Sequence, residues 1–466
     1  MQLHYHTMLI MKILSRLVLV LPLLVSACSV TSPKMNEPLR GSPLNLDAKK
    51  QVNKSPRSDE VTLILTFSGG GTRAAAFSYG VLDELRRTPV IINNKERRLL
   101  DEVDLISSVS GGSFTSAYYG LFGDKIFTTF DKKFLKKRVQ SDLIKLSLLS
   151  PKAWVRLLPG LFERSDLAAE YYNQFIFKKK TFADFRKDGP QIIINATDLS
   201  LGQGFAFTNY HFSWICSDLK SYPIARAVAA SSAVPVLLSP ITLRNHSSKC
   251  GTPPVLWSSK NKLDMDKKRY AQSLKIQDYR DENSYKYLHL VDGGIADNLG
   301  IRSIMDIVTY HRNNMWDLMN TFHMTKSKKF IFIVVNASSF KDNSIATRRV
   351  SPSTIKILDA TTNIQFDKYN IETLDFLRDK FPQWRKQVIE GRCNKNSDAD
   401  CKNIEFDLIE VNLRDLPSEE RQAALNIPTS LELPAKTVDN LKKAGASLLR
   451  RSKTFQKVLL KLNKKE

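Results

Sequence analysis

Residues Asp104 to Gly112 read DLISSVSGG. Val103, Leu105, Ile106 and Val109 supply the apolar side chains of a buried strand. Gly111 and Gly112 break it, and Ser113 to Leu121 resumes as a helix. A serine at a sharp strand-to-helix turn, with small residues two positions away on either side, has the layout of a nucleophile elbow. The turn brings the nucleophile's backbone close to neighbouring chain, so bulky flanks would clash. Here Ser108 and Gly112 flank Ser110, giving S-x-S-x-G in place of G-x-S-x-G.

A second strand-like run, Val61 to Phe67 (VTLILTF), ends in Ser68-Gly69-Gly70-Gly71-Thr72-Arg73 and opens a helix from Ala74. Glycines at a helix start leave backbone N–H groups free to face an anion. A nucleotide loop would require Gly-Lys-Ser/Thr, which is absent, and so is the spacing of a dinucleotide fingerprint. An oxyanion hole beside Ser110 explains the loop better, its N–H groups facing the oxygen of a tetrahedral acyl intermediate. A third element, Val291-Asp292-Gly293-Gly294, closes the short strand Tyr287 to Val291. An Asp-Gly-Gly turn has little specificity by itself.

Together these pieces resemble the patatin-like phospholipase family. Two further blocks carry the likeness: Ala229-Ala230-Ser231-Ser232-Ala233-Val234-Pro235, preceded by Ile224-Ala225-Arg226-Ala227, and Asn195-Ala196-Thr197-Asp198-Leu199. All stand in the family's order, from about Val61 to Ile301. The resemblance implies an α/β, three-layer fold whose central, mostly parallel sheet is flanked by helices. It also implies a serine–aspartate dyad, with Ser110 as nucleophile and Asp292 as its base. Gly69, Gly70 and Gly71 then supply the oxyanion donors, and Gly112, Gly293 and Gly294 support the two turns. Arg73 matches the family's glycine-loop arginine, to steady the loop or a lipid phosphate; Ala74 stands where the family usually has glycine.

A histidine base has weaker support. His4 and His6 precede the mature chain, and His211, His246, His311 and His323 lack a recognisable partner. His289 is three residues before Asp292 on a strand, so the two side chains face opposite sides of the sheet. No metal or organic cofactor is implied, and no acidic loop of EF-hand type suggests calcium.

The N-terminus reads as an export signal. Lys12 and Arg16 precede the apolar run Leu17 to Val25, followed by Val25-Ser26-Ala27-Cys28. The run is too short to span a bilayer as a helix. Residues 1–27 thus read as a signal peptide and Cys28 as a lipidated first residue, resembling a bacterial lipobox; Met11 is a more natural start than Met1. Ser29 after Cys28, by resemblance to Gram-negative lipoprotein sorting, favours the outer membrane of the cell envelope. Residues 28–59, rich in Pro, Ser, Asn and Lys, read as a flexible tether. Four cysteines then remain, an even number suited to an oxidising compartment. Cys393 with Cys401, and Cys216 with Cys250, are the expected pairs, with buried free thiols as the alternative.

The catalytic domain is expected over 60–340, with a polar insert at 244–286 that is either a lid, a membrane-touching loop or a passive insertion. Residues 341–466 read as a helical and strand extension packed on that domain. In its last stretch Leu441, Leu448, Phe455 and Leu462 recur every seven residues, which reads as one long helix with an apolar stripe and a basic face. Packing on the core is the favoured reading of that stripe, and an anionic membrane surface the alternative. The formal charge of +23 suits anionic lipid head groups; no nucleic-acid-binding motif appears, and nothing names a protein partner. The expected activity is phospholipase A-type hydrolysis of lipid esters. An esterase or thioesterase on other acyl groups, or a non-catalytic lipid-binding lipoprotein, are the alternatives.

Overall fold

The VTLILTF run forms strand β1 (Val61–Phe67), and every residue in it is buried. Such a run must be covered on both faces, which fits a layered α/β fold. The computed structural model describes residues 33, 35–40, 57–149, 156–157, 162–235, 237–250, 267–338, 343–347, 349–394 and 399–463. The signal peptide, Cys28 and the middle of the insert lie outside the described residues.

A small hairpin, β2 (Pro89–Ile92) with β3 (Lys95–Arg98), precedes β4 (Val103–Val109). Then come β5 (Gln191–Asp198), β6 (Gln203–Ala206), β7 (Ile241–Arg244), β8 (Tyr287–Asp292), β9 (Lys329–Asn336) and β10 (Glu405–Asn412). The central sheet runs β10-β9-β1-β4-β5-β8-β7, with β6 also on β5. The pairs from β10 to β5 are parallel, while β8 runs antiparallel to both β5 and β7. Register sets the site. Val109 is opposite Asn195 and Asp292 is opposite Ala196, so antiparallel β8 ends one step beyond the end of β4.

Alternation along the central strands sorts two cores onto two faces. Leu63, Leu65, Phe67, Ile331, Ile333 and Val335 face helix α1 (Gly71–Arg87) and its neighbours. Ile64, Phe330, Phe332 and Val334 face the other way, in a cluster with Leu377 and Trp384. Helix α2 (Gly111–Phe122) follows β4, α3 (Arg164–Phe175) precedes β5, and α4 (Ile224–Ser231) precedes β7. Helix α5 (Lys267–Arg280) lies in the insert, and the long α6 (Thr354–Cys393) carries Leu377 and Trp384.

The structure refines several expectations. The boundary near 340 does not separate units, because β10 is the edge strand of the same sheet, parallel to β9 along its whole length. The single terminal helix is two, α7 (Ala435–Arg451) and α8 (Lys453–Leu462), because Ser452 leaves helical geometry and caps α8 by accepting from Phe455 N. The apolar stripe packs on the core, with Val438, Leu441, Phe455 and Leu462 buried. The insert is partly built in: Tyr279 of α5 is fully buried and donates to Asp198 Oδ2 at 3.0 Å. The tether is docked from Asn36 to Leu39, where Asn36 bonds both backbone groups of Arg244 at the end of β7. Cys216 is bonded to Cys250, with Cα atoms 5.8 Å apart, and Cys393 to Cys401 at 5.2 Å.

Candidate active site

Ser110 sits between β4 and α2 with φ 49° and ψ −118°, a conformation that side chains other than glycine's rarely adopt. Such strain costs about 1–3 kcal/mol and persists only where neighbours hold it. The holder is Ser231, the last residue of α4. Its hydroxyl accepts from Ser110 N at 2.8 Å, donates to Asn195 O at 2.6 Å and lies 3.0 Å from Ser113 Oγ. The same short segment grips the opposite turn. Ser231 O accepts from Gly293 N at 3.2 Å and Ala233 O from Asp292 N at 3.0 Å. Residues 231–233 therefore strap the two turns together.

Asp292 is buried, and its Oδ1 accepts from Gly294 N at 2.8 Å. Burial pushes its pKa up to about 6, and the Gly294 N–H and the nearby Ser110 hydroxyl hold it from going higher. A carboxylate of that pKa is a proton acceptor suited to neutral pH.

The glycine loop touches the elbow directly. A methyl at Gly111 would lie 2.0 Å from Gly71 O, and one at Gly69 would lie 3.3 Å from Ser110 Cβ. Gly70 and Gly71 have φ of 131° and 58°, backbone angles that favour glycine. Among the described residues, the N–H groups of Gly70, Gly71 and Gly111 have no hydrogen-bond partner. Gly69 differs from the expectation. Its N–H donates to Asn298 O at 3.2 Å, so it holds the loop to the turn after β8 and is not a free oxyanion donor. Gly112 and Gly293 are packing positions, against Phe67 and against Asn195 O, where a side chain would not fit.

Residues 65–305, over half the chain, match the profile of the patatin-like phospholipase family. The chain belongs to that family. Among solved structures it is similar to human GIVD cytosolic phospholipase A2, with TM-score 0.42 and 12% identity, over 87% of this chain and 60% of that one. It thus spans about 60% of that protein's length. A structure of full-length SpcU with full-length ExoU, from the type III secretion system of Pseudomonas aeruginosa, matches with TM-score 0.22 and 14% identity, over 79% of this chain and 77% of that one. No curated protein matches the chain.

In this patatin-like chain Arg73 is buried and is not placed to meet a lipid phosphate. Its guanidinium donates to Ala337 O at 2.9 Å, Ile427 O at 2.5 Å and Thr429 Oγ1 at 3.3 Å. Thr72 N adds a bond to Ser430 O at 2.8 Å. The stretch from Ile427 to Ser430 is thus a roof over the glycine loop, supplied by the C-terminal part of the chain.

The histidines have other work. His211 is buried against Thr208 Oγ1 at 2.9 Å, and burial pulls its pKa down to about 3. His246 bonds Asn36 O, and the exposed His289 bonds Thr242 Oγ1. Among the described residues no cluster of histidine, cysteine or carboxylate side chains could hold a metal. Sequence reasoning missed Asn298, which accepts from Gly69 and donates to Ser338 Oγ at 2.9 Å. It quoted Ser231 and Asn195 inside family blocks without a role, and both lie directly behind the elbow.

Proposed function

We propose that this chain is a lipid acyl hydrolase of phospholipase A type, working through Ser110 and Asp292. The observation that carries the reading is that residues 231–233 strap the Ser110 and Asp292 turns together, with the Ser110 hydroxyl near enough to the buried Asp292 carboxylate to lower its pKa. Asp292 takes the Ser110 proton as Oγ attacks the ester carbonyl. Gly70, Gly71 and Gly111 N–H groups face the oxyanion of the tetrahedral intermediate. Collapse expels the alcohol, which takes the proton back from Asp292 and leaves an acyl-enzyme on Ser110. Water then attacks the acyl carbon, giving its proton to Asp292, and collapse returns that proton to Ser110 Oγ with release of the fatty acid.

Export and lipidation at Cys28, ending at the outer membrane, complete the reading. The signal-like N-terminus supports it, as do two disulfides suited to an oxidising compartment. The net charge of +23 suits anionic phospholipid. The test is fatty acid release from bacterial phospholipid vesicles, with a short-chain soluble ester beside it. Ser110→Ala and Asp292→Asn should each abolish both activities while staying folded. Hydrolysis of the soluble ester alone would move the substrate to non-phospholipid esters, and an active Asp292→Asn would remove the dyad.

A further inference from the structure

Strand direction gives the molecule two poles. β4 and β5 run toward Ser110, and β8 returns from beyond it. Tyr287 pairs with Arg244 five residues before Asp292 is reached, so the β7–β8 pair projects about 17 Å past the level of Asp292 on the Ser110 side.

The N-terminal segment is clamped to the tip of that projection. Asn36 is buried; its Nδ2 donates to Arg244 O at 2.8 Å and to Ser217 Oγ, and its Oδ1 accepts from Arg244 N at 2.8 Å. Its carbonyl accepts from His246 Nε2 at 3.1 Å. Leu39 N donates to Cys216 O at 2.8 Å, and Glu37 O accepts from Asp218 N at 2.9 Å. The Cys216–Cys250 disulfide ties the receiving loops together. Asn36 lies only eight positions after Cys28, and eight residue steps reach at most about 28 Å.

The same pole has the surface chemistry of a lipid interface. Leu199, 58% exposed, follows β5 and donates its N–H to His289 O of β8. Leu237, 63% exposed, lies four residues after Ala233, whose carbonyl holds Asp292. Tyr287 is exposed at the tip, with exposed Arg244, Lys249 and Lys286 around it. Single exposed leucines are ordinary. Exposed leucines and a tyrosine at one pole, with cations beside the tyrosine, fit the acyl–headgroup boundary of an anionic bilayer. The opposite pole differs in its apolar part: a cavity of about 690 Å³ there is lined by six arginines, Arg57, Arg86, Arg87, Arg97, Arg98 and Arg186, five of them paired with carboxylates, and by no exposed leucine.

We propose that the Ser110 pole is a bilayer-docking surface and that the Asn36 clamp brings the lipid anchor to it, so that the enzyme works on the leaflet that carries its own lipid. This rests on the hydrolase and Cys28 reading above. The first test reconstitutes the full-length lipidated protein in phosphatidylethanolamine–phosphatidylglycerol vesicles that contain a photoactivatable headgroup. Cross-links are expected in the peptides holding Leu199, Leu237 and Tyr287. Cross-links on the Arg97–Arg98 pole, or none, overturn the proposal whether or not the protein hydrolyses lipid. Failure of the hydrolase reading would show separately, as absent fatty acid release with this labelling pattern intact. The second test compares release of a labelled phospholipid placed in the protein's own vesicles or in added protein-free vesicles. A short anchor raises the local substrate concentration, so the first should be at least about tenfold faster. Asn36→Ala, which lengthens the leash, should narrow the ratio. Equal rates for the wild type, or a mature chain with no lipid on Cys28, would overturn the anchoring.

Discussion

The hydroxyl of Ser231 accepts the backbone N–H of Ser110 at 2.8 Å, while the carbonyl of the same residue accepts from Gly293 at 3.2 Å. One residue thus touches the turns that carry both members of the proposed dyad. Ser231→Ala removes the hydroxyl's bonds to Ser110 N, Asn195 O and Ser113 Oγ and leaves the carbonyl's bond to Gly293, and a buried N–H left without an acceptor costs about 1–3 kcal/mol. The nucleophile would lose its fixed orientation, not its substrate pocket. We expect kcat to fall on the order of 10- to 100-fold with KM little changed, read by steady-state kinetics on a soluble ester. An unchanged kcat would make the bond incidental.

Asp292 must be ionised to accept a proton, so activity should rise with pH through about 6 and level off above it. Stability has the opposite sign. The folded-state pKa lies above the unfolded one, so stability is highest below the unfolded value and falls as pH rises to about 6. Asp292→Asn keeps an acceptor for Gly294 N and carries no charge. Its stability should exceed the wild type's at pH 8 by on the order of 2–3 kcal/mol, read as a higher melting temperature, with the gap closing near pH 4. A gap independent of pH would show that burial of charge is not its source.

Arg73→Ala would strip donors from the carbonyls of Ala337 and Ile427, which meet at the glycine loop. We expect a loss of about 3–5 kcal/mol, the usual cost of leaving a buried polar network half-made. Arg73→Lys should recover only part of it, since one ammonium cannot cover three separated acceptors. Chemical denaturation measures both variants. Full stability in Arg73→Ala would mean that the roof is held by other contacts.

The two disulfides should differ in worth because they close different loops, with sequence separations of 34 and 8. Loop-closure entropy gives about 4 kcal/mol for Cys216–Cys250 and about 2.5 kcal/mol for Cys393–Cys401. Paired Cys→Ser variants should show that order in denaturant midpoints.

Local pattern made the frame legible. Apolar runs such as VTLILTF marked the strands, and the small-residue turns at Ser110 and Gly69 to Gly71 marked where chain crowds chain. What stayed hidden was long-range partnership. Nothing in YLHLVD says that β8 runs against its neighbour, yet that direction is what brings Asp292 to Ser110. Gly69 looks like its neighbours in sequence, and only the carbonyl of Asn298, 229 residues on, takes its amide out of the donor set. Asn36 lies in a stretch whose composition reads as linker. A single amide that pairs both groups of Arg244 outweighs that composition.

The roof from Ile427 to Ser430 bears on when the protein becomes able to act. Gly71 leaves the ribosome roughly 360 residues before Ser430, an interval on the order of half a minute at ordinary elongation rates. For most of that interval the nascent chain holds its serine, but the glycine loop lacks the carbonyls that pin Thr72 and Arg73. On the proposed reading, the loop that would face the oxyanion is therefore among the last parts of the enzyme to be completed.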